Sequence, residues 1–480
     1  MVNKEDRFNN KRFKEVLAKY EAGQDNLDSL FFDVDDIMDI AEYYNYKADV
    51  DNARKAVAFA AHLYPTSPMV LILQARMALF SDFDIDKARH YAQLIEQQGC
   101  EDMEYFYLKA EMLLFEDYIY EADSYLESKI PLLDGEDLED FYLDVAFIFL
   151  DYRLPEYAKA WLDRSNEKDD PDYLEAEGRI AFLMEDYDKC ETIFKKLLEN
   201  EPFAVPLWNT LASAQFLNGR LVESIDSSEY AIAISPNNPE ALLNKARCLS
   251  TAYRFSEAAE FYERYLTQVP NDSSVRAMYG VALIAYGKYD EALSNLYQAK
   301  DTCTDKSLIP EIVKQLVFVL SKKGQTDEAF AVVDEAEKNG HIDHLDRLLN
   351  EGRLFLDIKE KERAGDRFVE AILESKHSMG IYMEVAIAYY VNDAFLETIK
   401  TLTSALFYNP HEKRGYAYLA DSYRQYGMKQ EFLDTLKLAC ENNPLEVKEV
   451  MCDMFPIDMD PRDFYDYALK KFNGDKLADE

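Results

Sequence analysis

The chain has 480 residues and a formal net charge of −39, with 53 lysines and arginines against 92 aspartates and glutamates. Because phosphate binding requires clustered lysine and arginine, this balance argues against nucleic acid and against an anionic membrane as partners. It suits solubility or a basic protein partner, and we favour solubility. Glycine and proline number only 15 each, as expected of an all-helical chain.

The N-terminal region, residues 1–33, is predicted to be a capping segment with one helix from Phe8 to Ala22. Phe13 and Tyr20 lie on its apolar side. The region has no apolar stretch typical of a secretory signal, and no part of the chain approaches the 18 apolar residues of a membrane span. We therefore expect a cytoplasmic protein.

The segment YGVALIAYGKYDEALSNLYQA, residues 279–299, predicts a pair of helices. Its apolar residues recur at spacings of three and four, and Gly287 ends the first helix because glycine tolerates a left-handed conformation. Small residues at Gly280, Ala292 and Ala299 allow two helix backbones to approach closely. One such pair cannot bury its own apolar faces, so it requires neighbours of the same kind.

The same arrangement recurs along the chain with a period of 34 residues. Ala246 precedes Gly280 by this interval, and Pro202, Pro236 and Pro270 are separated by it. A fixed period with one helical pair in each unit indicates a stacked α-solenoid, in which each unit packs mainly on its neighbours.

These units resemble the tetratricopeptide repeat family. Its order of large and small residues, with alanine and proline later, is matched by W-x-x-L-A at Trp208–Ala212 with Ala231 and Pro236. It is also matched by YLADSYRQYGM with Ala439 and Pro444. The resemblance implies an all-α fold, an α-solenoid that winds as a right-handed superhelix of about twelve helix-turn-helix repeats.

The repeat register extends over most of the chain. Repeats are predicted to start near residues 34, 68, 103, 139, 171, 205, 239, 273, 310, 345, 379 and 413. Tandem repeats thus cover residues 34–446, and no domain boundary is predicted within them. Residues 447–480 are predicted to form a C-terminal capping helix and a polar tail.

The sequence contains no recognised catalytic motif: no P-loop, no dinucleotide-binding glycine pattern, no zinc-protease motif and no nucleophile elbow. His341 and His344 can share a helix face, but no third metal ligand of suitable spacing is near. The six cysteines are scattered and are expected to be reduced and structural. We therefore predict no enzymatic activity, no cofactor and no metal.

The resemblance also implies a binding groove lined by positions two, five, nine, twelve and thirteen of the first helices. The residues of this chain at such positions that we regard as candidates for partner binding are Arg76, Phe147, Arg179, Phe182, Asn209, Phe216, Leu243, Arg247, Phe318, Arg353, Met383 and Tyr390.

The four arginines of this set share position nine, where each can bind a peptide carboxylate through a bidentate pair. The alternative, which we favour, is that each is neutralised by a groove carboxylate such as Glu175 or Asp346. One subfamily binds chaperone tails with lysines and asparagines in three adjacent repeats. Asn244 and Arg247 are isolated fragments of that clamp, so we do not predict chaperone-tail binding.

The favoured function is a non-enzymatic cytoplasmic scaffold that binds a peptide or protein, with a basic partner as one option. A peptide-sensing regulator with a DNA-binding head is an alternative, but it requires a second basic helix before residue 33. The segment EAGQDNLDSLFFDVDD is too acidic to supply it. An enzyme is the least favoured alternative, since the repeats leave no room for a catalytic domain.

Overall fold

The computed structural model describes residues 8, 10–23, 32–46, 49–100, 102–456 and 459–473. Within these ranges every regular element is a helix, comprising twenty-seven α-helices and three short 3-10 helices. The chain divides into two compact units, Met1–Pro236 and Asn237–Glu480. The predicted all-α class, with helices stacked as successive pairs, is confirmed.

Among its described residues, the first unit contains helix α1 followed by six helical pairs. Its helices are α1 (Lys11–Ala22), α2 (Val34–Tyr46), α3 (Val50–Leu63), α4 (Pro68–Phe80), α5 (Ile85–Glu96), α6 (Met103–Phe115), α7 (Ile119–Glu127), α8 (Gly135–Asp151), α9 (Pro155–Leu162), α10 (Pro171–Leu183), α11 (Tyr187–Asn200), α12 (Val205–Leu217) and α13 (Leu221–Ile234).

The second unit contains six further pairs followed by two helices. These are α14 (Pro239–Thr251), α15 (Phe255–Gln268), α16 (Ser273–Ala285), α17 (Tyr289–Thr302), α18 (Ile309–Lys322), α19 (Thr326–Lys338), α20 (His344–Asp357), α21 (Lys361–Glu374), α22 (Met379–Tyr390), α23 (Phe395–Tyr408), α24 (Tyr416–Tyr426), α25 (Lys429–Asn442), α26 (Pro444–Val450) and α27 (Phe464–Asn473).

Small residues lie where the two helices of a pair pack together. A Cβ atom added to Gly280 of α16 would lie 2.8 Å from the Leu296 side chain of α17, and one added to Gly178 would lie 2.7 Å from Phe194. Ala246 is fully buried on α14. At these positions a larger side chain would have to displace its neighbour, because helix interfaces are close-packed.

The turn between the two helices of a pair has a recurring backbone structure. Gly287 has a φ of 82°, and the amide of the next residue, Lys288, donates to the carbonyl of Leu283. A hydrogen bond that closes the end of a helix in this way, with a left-handed residue directly before the donor, is a Schellman motif. Tyr253 occupies the same turn position in the preceding pair with a φ of 59°, and Arg254 there donates to Leu249.

Each first helix is thus held against its own second helix by the turn and against the next pair by packing. Several consecutive first helices within a unit also contact one another, as α16 contacts α18 and α18 contacts α20. We call the surface that these helices form in the second unit the first-helix face. Among the described residues, no helix is both long and apolar enough to span a bilayer.

Candidate functional site

Arg76 of α4 is already paired within the protein. Its Nε lies 2.9 Å from the Glu111 carboxylate and its Nη1 lies 2.7 Å from that of Glu104, both on α6. Burial alone would lower the pKa of Arg76, but the two glutamates outweigh it and raise that pKa. The arginine therefore joins two successive first helices.

Phe147 and Arg179 are brought together in the first unit. The guanidinium carbon of Arg179 lies 5.5 Å from the Phe147 ring centroid, within the range of a cation–π contact, and its Nη2 lies 2.9 Å from Asp151. The ion-pair partner thus comes from the preceding pair of helices rather than from Glu175. Phe182 packs edge-on against Tyr187 at 5.9 Å.

The two candidates on α12 are not equally accessible. Asn209 is only 2% exposed, so its side chain belongs to the packed interior and not to an open groove. Phe216 is half-buried. The first-unit candidates therefore differ in exposure: Asn209 is buried, whereas Phe216 is partly accessible.

In the second unit, Arg353 of α20 is paired with Glu384 of α22. Lys314 of α18 also contacts Glu384, at 3.4 Å, so charges from three first helices meet there. Burial lowers the pKa of Arg353, although the neighbouring carboxylates oppose this. Lys314 also lies 3.4 Å from the Glu311 carboxylate, so two basic and two acidic side chains balance one another here, as the alternative of local neutralisation expects. The partner of Arg353 is Glu384; Asp346 acts on it only as a nearby charge.

The remaining candidates of the second unit differ in their availability. Tyr390 donates a 2.7 Å hydrogen bond to Asp421, and Met383 is half-buried beside Gly415. Phe318 is 41% exposed and carries Lys322 over its ring at 5.3 Å. Of these three residues, only Phe318 offers a substantial apolar surface to a partner.

An apolar cavity that the sequence did not predict lies on the first-helix face. It has a volume of about 350 Å³ and is bounded by residues from α14 to α18. Met278 and Val281 of α16 and Ile312 of α18 line it, and Val281 is 40% exposed. The cavity is large enough for a sizeable side chain, and its size lies within the range of ligand pockets.

The cavity arises because α16 has short side chains at groove positions. Ser274, Ala277 and Val281 occupy positions two, five and nine of their repeat, and all three line the cavity. The equivalent positions of the next repeat carry Glu311, Lys314 and the large Phe318 in place of these short residues. A run of short residues at groove positions was therefore the available signal, and a search for large or charged residues missed it.

Arg247 and Leu243 lie on α14, the helix that contributes Ser250 to the cavity, but neither is among the lining residues. Arg247 is three residues before Ser250, which lines the cavity, so the two share a helix face. Burial raises the pKa of Tyr262, another lining residue, and the positive charge of Arg247 opposes that rise. Arg247 is exposed and forms no ion pair with any described residue, whereas Leu243 is half-buried.

No metal site is evident in the part of the chain that the structure describes. No three histidine, cysteine, aspartate or glutamate residues there are grouped so as to hold a metal ion. Nδ1 of His344 instead donates a hydrogen bond of 2.8 Å to the Glu374 carboxylate, and this bond is the main reason that the pKa of His344 is raised. None of the six cysteines forms a disulfide bond.

Comparison with known proteins identifies the repeat type. Residues 215–282 match the family model described as tetratricopeptide repeat. This segment runs from α12 into α16 and includes Arg247 and all of the cavity residues of α16. No curated protein sequence matches the chain.

Solved structures with a similar course of the chain have low identity to it. Yeast Tom70 is 15% identical to this chain. The match covers 92% of this chain and 96% of Tom70, with a TM-score of 0.42. The Cut9 assembly with Hcn1 is 14% identical, with 94% of each chain covered and a TM-score of 0.32. MamA from Desulfovibrio magneticus is 14% identical to this chain. The match covers 35% of this chain and 93% of MamA, with a TM-score of 0.33. At these scores the three structures carry no inference about partners.

Proposed function

We propose that this tetratricopeptide-repeat protein is a non-enzymatic, cytoplasmic interaction scaffold that binds a segment of a protein partner on the first-helix face of its second unit. The observation that carries the proposal is the apolar cavity of about 350 Å³ bounded by α14 to α18. Protein-binding sites depend on a few apolar anchors that enter well-formed pockets, and this cavity is such a pocket.

The helices around the cavity are held in place without a partner. Asp272 caps α16 by accepting a hydrogen bond from the Val275 amide at 3.0 Å, and Glu311 on α18 accepts one from Gln315 at 2.6 Å. A pocket that is already formed spares the partner much of the ordering cost of binding. Local charge also favours contact, because residues 241–330 carry equal numbers of acidic and basic side chains.

The test is capture of partners from an extract of the native organism by the full chain, with bound proteins identified by mass spectrometry. Val281→Glu places a carboxylate at the cavity, where Val281 is 40% exposed, and is expected to abolish capture of the specific partner. Val369→Glu is the matched control, since Val369 is 57% exposed on α21, a second helix of the same unit.

Loss of one partner with Val281→Glu but not with Val369→Glu would support the proposed site. Equal capture by both variants would contradict it and would place the interaction on another surface. Circular dichroism and the urea midpoint of each variant must equal those of the wild type, because only then does the comparison report on binding rather than on folding.

A further inference from the structure

The four groove arginines differ in one respect that matters for binding. Arg76, Arg179 and Arg353 each form an ion pair with a carboxylate from a neighbouring pair of helices. Arg247 forms none with the described residues; it is exposed on α14, and its charge acts on Tyr262, which lines the cavity. Its guanidinium therefore has hydrogen-bond donors available for a carboxylate that arrives from outside.

The acidic group on the other side of the cavity does not cancel this charge. Glu311 lines the cavity, but Lys314 lies 3.4 Å from its carboxylate and Gln315 donates a hydrogen bond to it. Arg247 is thus the uncompensated charge beside an apolar pocket. In a chain with a net charge of −39, such a group attracts an anion locally while the surrounding surface disfavours an extended acidic ligand.

Tyr253 supplies a second, independent observation at the same place. It occupies the left-handed turn position that Gly287 holds in the following pair, yet it carries a bulky ring and is 75% exposed. Non-glycine residues also hold this turn position in other pairs, among them Asp117 and Arg153, so the turn itself is ordinary for this chain. The Tyr253 ring packs edge-on at 5.9 Å against Phe255, which lines the cavity. The exposed ring therefore extends the apolar surface beside the pocket that a ligand can contact.

We propose that the partner segment presents a large apolar side chain and a carboxylate a few residues apart. The apolar side chain fills the cavity between α14 and α18, the carboxylate pairs with Arg247, and Tyr253 covers the apolar group. This specificity rests on the proposed function, because it assigns a chemistry to the ligand of the same pocket.

The experiment is selection of random peptides displayed on phage against the full-length chain, followed by fluorescence anisotropy with a synthetic peptide from the selected set. We expect the selected peptides to share an aromatic or long aliphatic residue with a nearby aspartate, glutamate or C-terminal carboxylate. Arg247→Gln should lower the affinity for the synthetic peptide by about tenfold or more, and Arg247→Lys should lower that affinity less. Tyr253→Asn should also weaken it, since asparagine tolerates the left-handed turn.

The carboxylate contact is isolated by a double-mutant cycle. Replacing the acidic residue of the peptide by its amide should weaken binding to the wild type by a similar factor but change binding to Arg247→Gln little. Arg363→Gln is the control, because Arg363 is exposed on the second helix α21 and pairs with Glu360. Its affinity for the peptide should equal that of the wild type.

Four results would overturn the inference. Selected peptides without a preference for a carboxylate would contradict the proposed contact with Arg247, and so would an affinity that Arg247→Gln leaves unchanged. In either case the proposed binding site would still stand if Val281→Glu abolished peptide binding. Peptide binding that Val281→Glu does not affect would contradict the proposed site itself. Self-association of the chain that is abolished by Val281→Glu would assign the cavity to a second copy of the protein.

Discussion

At the residue scale, Ala246 shows how tightly the pairs pack. It is fully buried on α14, at the repeat position where Gly280 leaves no room for a Cβ atom on α16. Ala246→Leu should force α14 and α15 apart and lower the free energy of unfolding by about 1–3 kcal/mol through overpacking. The measurement is the urea midpoint followed by far-UV circular dichroism, because both tryptophans, Trp161 and Trp208, lie in the first unit and would not report on α14 and α15.

The matched control for this substitution is Thr251→Leu, since Thr251 is exposed at the end of the same helix. Its midpoint should stay close to that of the wild type. If Ala246→Leu left the midpoint unchanged as well, the register that places Ala246 between two helices would be contradicted.

At the element scale, Asp272 begins α16, the helix that contributes most to the cavity. Its carboxylate accepts hydrogen bonds from the Val275 amide, the Ser274 hydroxyl and the Tyr265 hydroxyl at 2.7–3.0 Å. Burial acts to raise the pKa of Asp272, but these bonds outweigh it, and the pKa lies below its usual value. Asp272→Ala should cost about 1 kcal/mol at neutral pH.

The pH dependence of this cap has a definite sign. A carboxylate whose pKa is depressed on folding contributes stability above its unfolded pKa of about 3.9 and loses it as the pH falls through the folded value. The difference in urea midpoint between wild type and Asp272→Ala should therefore be constant from pH 7 to about pH 4 and shrink below it. Asp272→Asn should retain much of the cap and serves as the control. A difference that grew on acidification would contradict this account.

The helices were more predictable than the site for a physical reason. Helix ends depend on local residues: Gly287 allows the left-handed turn, and Pro239 opens α14 at the first position. The ion pair of Arg179, by contrast, joins it to Asp151, 28 residues away in another pair. Only the fold decides which of several nearby carboxylates is the partner. The sequence could therefore identify the arginine as a candidate but could not predict its ion-pair partner.

The cavity was harder still to foresee, because it is defined by the absence of side-chain volume. Short residues such as Ala277 are normally read as helix-packing positions, as Ala246 is. Their effect on the first-helix face depends on what α14 and α18 place opposite them. That information lies in three helices spread over residues 239–322.

At the scale of the whole molecule, stability is expected to be local, because in a stacked array each pair contacts mainly its neighbours. Phe368 of α21 is 1% exposed and packs edge-on against Tyr389 of the next pair at 5.1 Å. Phe368→Ala should lower the free energy of unfolding of this helical pair by about 3–5 kcal/mol. Hydrogen exchange measured by mass spectrometry should then show faster exchange in α20 to α22 and little change in α14 and α15 of the same unit.

Val369→Ala is the control, since this neighbouring side chain points to solvent and its loss should leave exchange unchanged in every helix. A uniform acceleration across the second unit after Phe368→Ala would show that the unit unfolds as one cooperative body. Local acceleration would mean that α14 to α18 keep their cavity when a distant pair loosens. Binding and the loss of stability would then concern different helical pairs. A partner bound at the cavity should therefore slow hydrogen exchange most in α14 to α18 and least in α21.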